Sequence, residues 1–124
     1  MIYPDMSRIL INEASGTPVV EKLLLAESTG DRMRGLLGRA DLPLDTGMLL
    51  RPCRSIHMWF MRFAIDAAFL DADLRVLKIA RNLPPWALGW APRKTHCVLE
   101  TAAGVLQHLN VGDRLLIITR PAEL

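Results

Sequence analysis

The sequence predicts an α+β fold: a small, mainly antiparallel, strongly curved or barrel-like sheet with two short helices. Its 124 residues suit one hydrophobic core and therefore one domain, 1–124. Apolar residues make up 51% of the chain and charged residues 23%, which is typical of a folded globular protein. Short apolar runs alternate with turn residues, and no regular alternation of strand and helix is present, which favours antiparallel pairing.

The first half of the chain contains three predicted strands and one predicted helix. Residues 19–26 are aliphatic and β-branched after a Gly-Thr-Pro turn, which predicts a strand. Residues 28–38 begin with hydroxyl and carboxylate capping groups, carry apolar side chains at helical spacing and end at Gly38, which predicts a two-turn helix. Residues 48–50 and 55–60 predict two further short strands.

Residues 64–71 and 74–80 predict a β-hairpin, because two apolar runs flank the tight turn Asp-Ala-Asp. Side chains alternate between the faces of a strand, so Asp66 shares its face with Leu70. We therefore expect the Asp66 carboxylate to point inward.

The last third of the chain predicts a loop, a strand, a helix and a final strand. Residues 82–94 contain three prolines, a glycine and two tryptophans, which exclude a helix or a central strand. Residues 97–100 predict a strand, and residues 101–109 predict a helix with one apolar face. Residues 114–119 are continuously apolar after Arg114, which predicts a buried strand.

Several short motifs occur in a fixed order along the chain. They are Arg34-Gly35-Leu36-Leu37-Gly38, Leu42-Pro43, Gly47-Met48-Leu49, Met58-Trp59-Phe60-Met61, Ile65-Asp66, Phe69-Leu70-Asp71, Val98-Leu99-Glu100, Ala103-Gly104 and Gly112-Asp113. This ordered set resembles the domain-of-unknown-function 192 (DUF192) family over about residues 19–118. The resemblance implies a small, largely β, α+β domain of bacteria and archaea, and it implies no established activity.

Composition and charge limit the compartment and the partners. The N-terminus lacks the basic start and apolar core of a signal peptide, and no run approaches the roughly 20 apolar residues of a membrane span, so we expect a cytoplasmic protein. We expect Cys53 and Cys97 to remain thiols there. The formal charge of +2 gives no reason to expect nucleic acid. The sequence predicts no cofactor, and it leaves the oligomeric state open.

A buried carboxylate at Asp66 needs a compensating partner. It could accept hydrogen bonds from the backbone of a neighbouring turn, which we favour. It could pair with Arg34 or Arg62 and orient a guanidinium for an anionic ligand, since twelve of the fifteen Lys and Arg residues are arginine. It could also act as a general base with His57.

Cys53, His57, His96 and Cys97 are residue types that can bind zinc. Neighbouring residues of a strand point to opposite faces, so His96 and Cys97 do not converge on one ion. The sequence therefore predicts no metal site.

The tryptophan-bearing loop points to a binding function, because exposed indoles in a proline-rich loop are typical of an interface. We hypothesise a non-enzymatic module that binds an anionic or amphipathic small ligand or peptide. The alternatives are an enzyme with a His57/Asp66 acid–base pair and an oligomeric scaffold. The candidate ligand-binding residues are Arg34, His57, Trp59, Arg62, Asp66, Trp86 and Trp90.

Overall fold

The computed structural model describes residues 6–28, 41–53, 56–57 and 62–121, which form ten β-strands. The strands are β1 (Met6–Asn12), β2 (Pro18–Val20), β3 (Lys22–Ala26), β4 (Thr46–Leu50), β5 (Ile56–His57), β6 (Ile65–Leu70), β7 (Val76–Leu83), β8 (Leu88–Gly89), β9 (Cys97–Ala102) and β10 (Leu115–Pro121). These ranges contain no helix, and therefore none that could span a membrane.

The strands form three sheets. The five-stranded sheet has the order β3-β4-β9-β6-β7, in which β3 and β4 are parallel and the other pairs are antiparallel. The three-stranded sheet has the order β10-β1-β2, and β5 pairs with β8 in a small ribbon. The edge strands β3 and β7 do not pair with each other, so the predicted barrel-like, strongly curved sheet is wrong.

The two larger sheets pack through one face of the five-stranded sheet, which we call the front face. Its core joins Leu10, Val20 and Leu115 of the three-stranded sheet to Leu49 and Leu99 of the five-stranded sheet. The opposite face, which we call the back face, carries a second apolar cluster. Its buried strand members are Ala26, Met48, Leu50, Ile65, Ala67, Phe69 and Val98.

Gly47 of β4 lies on the front face, next to Val20 of the three-stranded sheet and Leu99 of the five-stranded sheet. A Cβ atom at this position would lie 3.0 Å from Cγ1 of Val20 and 3.2 Å from Cδ1 of Leu99. Both neighbours are buried in the core, so neither can move away without cost. An added methyl group would therefore need these side chains to move by a few tenths of an ångström.

We expect Gly47→Ala to lower the free energy of unfolding by about 1 to 3 kcal/mol, because the added methyl group overpacks the core. Urea denaturation measures this change. In a Val20→Ala background the same substitution should cost less, since the closest contact atom is gone. A cost that is equal in both backgrounds would contradict crowding against Val20.

The aliphatic run 19–26, predicted as one strand, divides between two sheets at Glu21. The N–H groups of Glu21 and Lys22 both donate to the Asp45 carbonyl, each at 2.9 Å. The chain therefore bends at Glu21, and β2 and β3 pair with different partners. The predicted hairpin is confirmed, because β6 and β7 pair antiparallel. The strand β1 was not predicted.

The predicted helix 101–109 is wrong, and with it the α+β class. The strand β9 continues to Ala102, and successive turns follow it. In these turns an N–H group donates to the carbonyl three residues earlier, as the Val105 N–H does to the Ala102 carbonyl. Gly104 has a φ of +93°, which is not helical. The predicted helix 28–38 lies outside the described residues except for Ser28, and the predicted strand 55–60 is described only as β5.

Candidate functional site

Strand register places a row of five side chains across the back face. From β3 to β7 the row is Leu24, Met48, Glu100, Ala67 and Ala80. Glu100 is the one charged member of this row. On the β6 and β7 side its neighbours are both alanines, and Ala67 is fully buried in the back-face cluster.

Glu100 is a buried carboxyl group in apolar surroundings. Its exposed fraction is 7%, and its oxygens are not among the buried side-chain atoms without a partner, which in the described residues comprise Thr95 Oγ1 alone. Burial raises the pKa of Glu100 from its ordinary value of 4.5 to about 7, because the apolar surroundings disfavour the charged form. The side chain therefore changes its ionisation near neutral pH.

Lys78 of β7 connects the back face to the loop that follows β8. It lies opposite Phe69 in the sheet, and its Nζ atom is 5.4 Å from the centroid of the Phe69 ring. The same ammonium group donates a hydrogen bond of 2.6 Å to the Trp90 carbonyl. These two contacts hold the loop against the edge of the sheet.

The segment on either side of β8 packs on the back face and presents two indoles to solvent. Ala87 and Ala91 contact the back-face cluster, whereas Trp86 is 60% exposed and Trp90 is 74% exposed. Trp86 has a φ of +72°, a left-handed conformation that is strained for a bulky side chain. Such strain is concentrated at functional sites.

Asp66 lies on the front face, opposite to the face of Glu100, because it pairs with Thr101. Its Oδ1 atom accepts a hydrogen bond from the Asn82 N–H at 2.8 Å. Its Oδ2 atom accepts from the N–H groups of Gly104 at 3.0 Å and Leu106 at 3.1 Å. The carboxylate therefore ties β6 to β7 and to the turns after β9, which is the structural arrangement that the sequence favoured.

Arg81 of β7 secures the same turns from their carbonyl side. Its guanidinium donates to the carbonyls of Leu106 at 3.2 Å and Leu109 at 2.7 Å. Asp66 and Arg81 thus satisfy backbone N–H and C=O groups of these turns from outside the segment.

The sequence comparison identifies the family. The DUF192 family model, described as uncharacterized ACR, matches residues 10–117. The chain belongs to the DUF192 family. A UPF0127 protein from Thermococcus sibiricus is 30% identical over 113 residues, covering 86% of this chain and 73% of that protein. A UPF0127 protein from Pyrococcus furiosus is 30% identical over 115 residues, covering 86% of this chain and 95% of that protein.

Two crystal structures resemble this DUF192 protein. A protein of unknown function from Novosphingobium aromaticivorans has a TM-score of 0.76 and 24% identity, covering 89% of this chain and 83% of that chain. A Sinorhizobium meliloti protein, proposed to be a transcription regulator, has a TM-score of 0.72 and 28% identity, covering 94% and 96%. The first of these likenesses concerns the fold alone.

The predicted site residues of this DUF192 protein fall into three groups. Trp86 and Trp90 lie on the loop that packs on the back face, whereas Asp66 lies on the opposite face of the sheet. The backbone of His57 pairs with Leu88 in the β5–β8 ribbon, and its side chain lies outside the described part. Arg62 is exposed shortly before β6. Arg34 and Trp59 lie outside the described residues.

The sequence analysis did not select Glu100 as a candidate functional residue, although the sequence contained a reason to do so. It is a carboxylate within an apolar predicted strand, which is the observation that singled out Asp66. The sequence offered no means of placing it beside Ala67 and Ala80, because that placement depends on strand register.

The candidate zinc set of Cys53, His57, His96 and Cys97 is described except for the side chain of His57. No group of three or more His, Cys, Asp and Glu side chains in the described part of the chain could hold a metal ion. The N–H of Cys53 donates to the His96 carbonyl at 2.8 Å, so the two segments are neighbours through their backbones.

We expect Cys97 of the native protein to resist alkylation at pH 8. Burial raises the pKa of its thiol to about 12, so little of the reactive thiolate forms. Iodoacetamide labelling followed by peptide mass analysis measures this, with Cys53, which is only partly buried, as the internal comparison. Labelling of Cys97 at the same rate in native and urea-unfolded protein would contradict the expectation.

Proposed function

We propose that this DUF192 protein is a non-enzymatic binding module for an amphipathic small ligand or a peptide segment. The proposed site is the loop that carries Trp86 and Trp90 and packs on the back face through Ala87 and Ala91. One observation carries the proposal: the loop exposes two large indoles, 60% of Trp86 and 74% of Trp90, and Trp86 holds a left-handed backbone conformation with a φ of +72°.

The physical argument is that large apolar side chains exposed to water gain free energy when a partner covers them. An indole buries a large apolar area at small conformational cost, and loops supported by a rigid sheet commonly carry binding residues. The sequence also predicted an anionic ligand, because the guanidinium groups of Arg34 and Arg62 could bind one. That stays a prediction.

The hydrogen bonds of Asp66 support a binding module over the enzyme alternative. Both of its oxygens accept from backbone N–H groups, which gives the carboxylate a structural function. A general base needs an oxygen within reach of a substrate proton. An acid–base pair with His57 therefore receives no support from the surroundings of Asp66.

Calorimetric titration with octyl compounds below their micelle concentration tests the proposal. We expect at least one of octylammonium, 1-octanol and octanoate to bind with saturation to the wild-type protein. Trp90→Ala should weaken that binding, because it removes the apolar edge. Leu44→Ala is the matched control, since Leu44 is 73% exposed and lies beside Asp45, in the turn before β4. Absence of binding by all three compounds would refute the proposed function.

A further inference from the structure

The part of the chain that contains the two exposed indoles carries cations and no acids. Residues 74–99 contain five Lys and Arg residues and no Asp or Glu. All thirteen Asp and Glu residues therefore lie in the rest of the chain, together with the other ten of the fifteen Lys and Arg residues. This segment includes residues 84–94, which we call the tryptophan loop. Its positive charge is complementary to an anionic partner.

Two of the five cations are exposed on the tryptophan loop itself. The side chains of Arg75, Lys78 and Arg81 donate hydrogen bonds to backbone carbonyls and thereby hold the structure together. Arg93 and Lys94 are exposed, in the turn that follows Trp90 by three and four residues. The ion pairs between described residues all use cations outside residues 74–99. Arg93 and Lys94 therefore present positive charge to solvent close to the indoles.

The tryptophan loop is supported by the sheet beneath it. The Lys78 ammonium donates to the Trp90 carbonyl at 2.6 Å, and Ala87 and Ala91 pack on the back-face cluster. A loop that is held in this way has little conformational freedom to lose when a partner covers its indoles. Binding therefore costs little ordering entropy.

The combination of exposed indoles and exposed cations fits the surface of an anionic membrane. Tryptophan is enriched where a membrane meets water, because its ring is apolar and its N–H can donate to the polar layer. Lysine and arginine near anionic headgroups add a further attraction, about fivefold in affinity for each cation. Trp86 and Trp90 are both more than half exposed, as expected for rings that enter a broad layer.

Resting on the proposed function, we propose that the tryptophan loop binds the surface of an anionic membrane. The two indoles enter the layer between headgroups and acyl chains, while Arg93 and Lys94 contact the lipid phosphates. The amphipathic ligand of the binding module is then a phospholipid within a bilayer. Salt should weaken this binding, because the screening length falls from about 10 Å in 0.1 M salt to about 3 Å in 1 M salt.

Centrifugation of the protein with lipid vesicles tests the proposal. We expect vesicles of phosphatidylcholine and phosphatidylglycerol to bind the wild-type protein at least about tenfold more tightly than vesicles of phosphatidylcholine alone. Tryptophan emission should shift to shorter wavelength with the anionic vesicles, because the indoles leave water. Both effects should decrease in about 1 M salt.

Single substitutions separate the contribution of charge from that of the indoles. Lys94→Gln should weaken binding to the anionic vesicles about fivefold, whereas Lys22→Gln, which removes an exposed lysine from β3, is the matched control and should have little effect. Trp90→Ala should weaken binding at least about tenfold, with Leu44→Ala as the control for loss of an exposed apolar side chain. Circular dichroism checks that each variant is folded.

The outcomes distinguish this inference from the proposed function. Binding of an octyl compound without binding of anionic vesicles would overturn the membrane proposal and leave the binding module in place. Equal binding to neutral and anionic vesicles, or an unchanged affinity in Lys94→Gln, would also overturn it. Tighter binding to soluble polyglutamate than to the anionic vesicles would overturn it and favour an acidic peptide as the partner. Failure of both the vesicles and the octyl compounds to bind would overturn both proposals.

Discussion

Replacing Asp66 with alanine is expected to lower the free energy of unfolding by about 3 to 5 kcal/mol. The carboxylate is 1% exposed and accepts backbone hydrogen bonds from Asn82, Gly104 and Leu106. Removing it leaves three N–H groups without an acceptor in a largely buried site. Each unsatisfied donor costs about 1 to 3 kcal/mol, and partial access of water reduces the total. Urea denaturation followed by circular dichroism measures the loss.

Two further variants separate hydrogen bonding from shape and from charge. Asp66→Asn keeps the shape and one acceptor oxygen but points an amide NH2 toward backbone donors, so its cost should fall between wild type and alanine. Asp73→Ala removes an exposed carboxylate from the turn between β6 and β7, and its effect should be small. Stability of Asp66→Ala within about 1 kcal/mol of wild type would refute the structural function of this carboxylate.

The second large effect is a loss of stability with rising pH that depends on Glu100. The pKa of this group is about 7 in the folded protein and 4.5 at its ordinary value. Between these values the folded state binds more protons than the unfolded state, so stability falls as the pH rises. The contribution is fully present below pH 4.5 and is lost as the pH rises through about 7. It amounts to about 3 kcal/mol.

Glu100→Gln removes this titration and should therefore flatten the stability profile between pH 5 and pH 8. Urea denaturation at each pH gives the difference between variant and wild type, in which the titration of all other groups cancels. At pH 8 the variant should be the more stable protein, by up to about 3 kcal/mol. Glu21→Gln should retain the wild-type profile. A difference between wild type and Glu100→Gln that does not change with pH would contradict the raised pKa.

The central hairpin and the inward direction of Asp66 were predictable from sequence, because both depend on local patterns. Alternation of apolar side chains and the turn at residues 71–73 suffice to specify β6 and β7. The bulge in this hairpin was not predictable. Two residues of β7, Arg81 and Asn82, lie opposite Asp66 because the register shifts there. This shift brings the Asn82 N–H to the carboxylate.

The helix error has a specific physical origin. Residues 101–109 have apolar side chains at helical spacing, and Leu106 and Leu109 are indeed buried. Their backbone groups, however, bond to Asp66 and Arg81, which lie more than twenty positions earlier in the chain. Local periodicity carries no information about such distant partners. The position of Glu100 depended in the same way on pairing with distant strands.

The order of the strands in the five-stranded sheet determines when the sheet that supports the proposed site can form during synthesis. Its central strand β9 separates β4 from β6, although it follows both of them in the chain. Until β9 has emerged from the ribosome, β4 and β6 each expose an unpaired strand edge. Such edges pair readily with a wrong strand, and the correct pairing with β9 is slow because it joins segments distant in the chain. The protein therefore completes this sheet only when β9 inserts between β4 and β6, late in the synthesis of the chain.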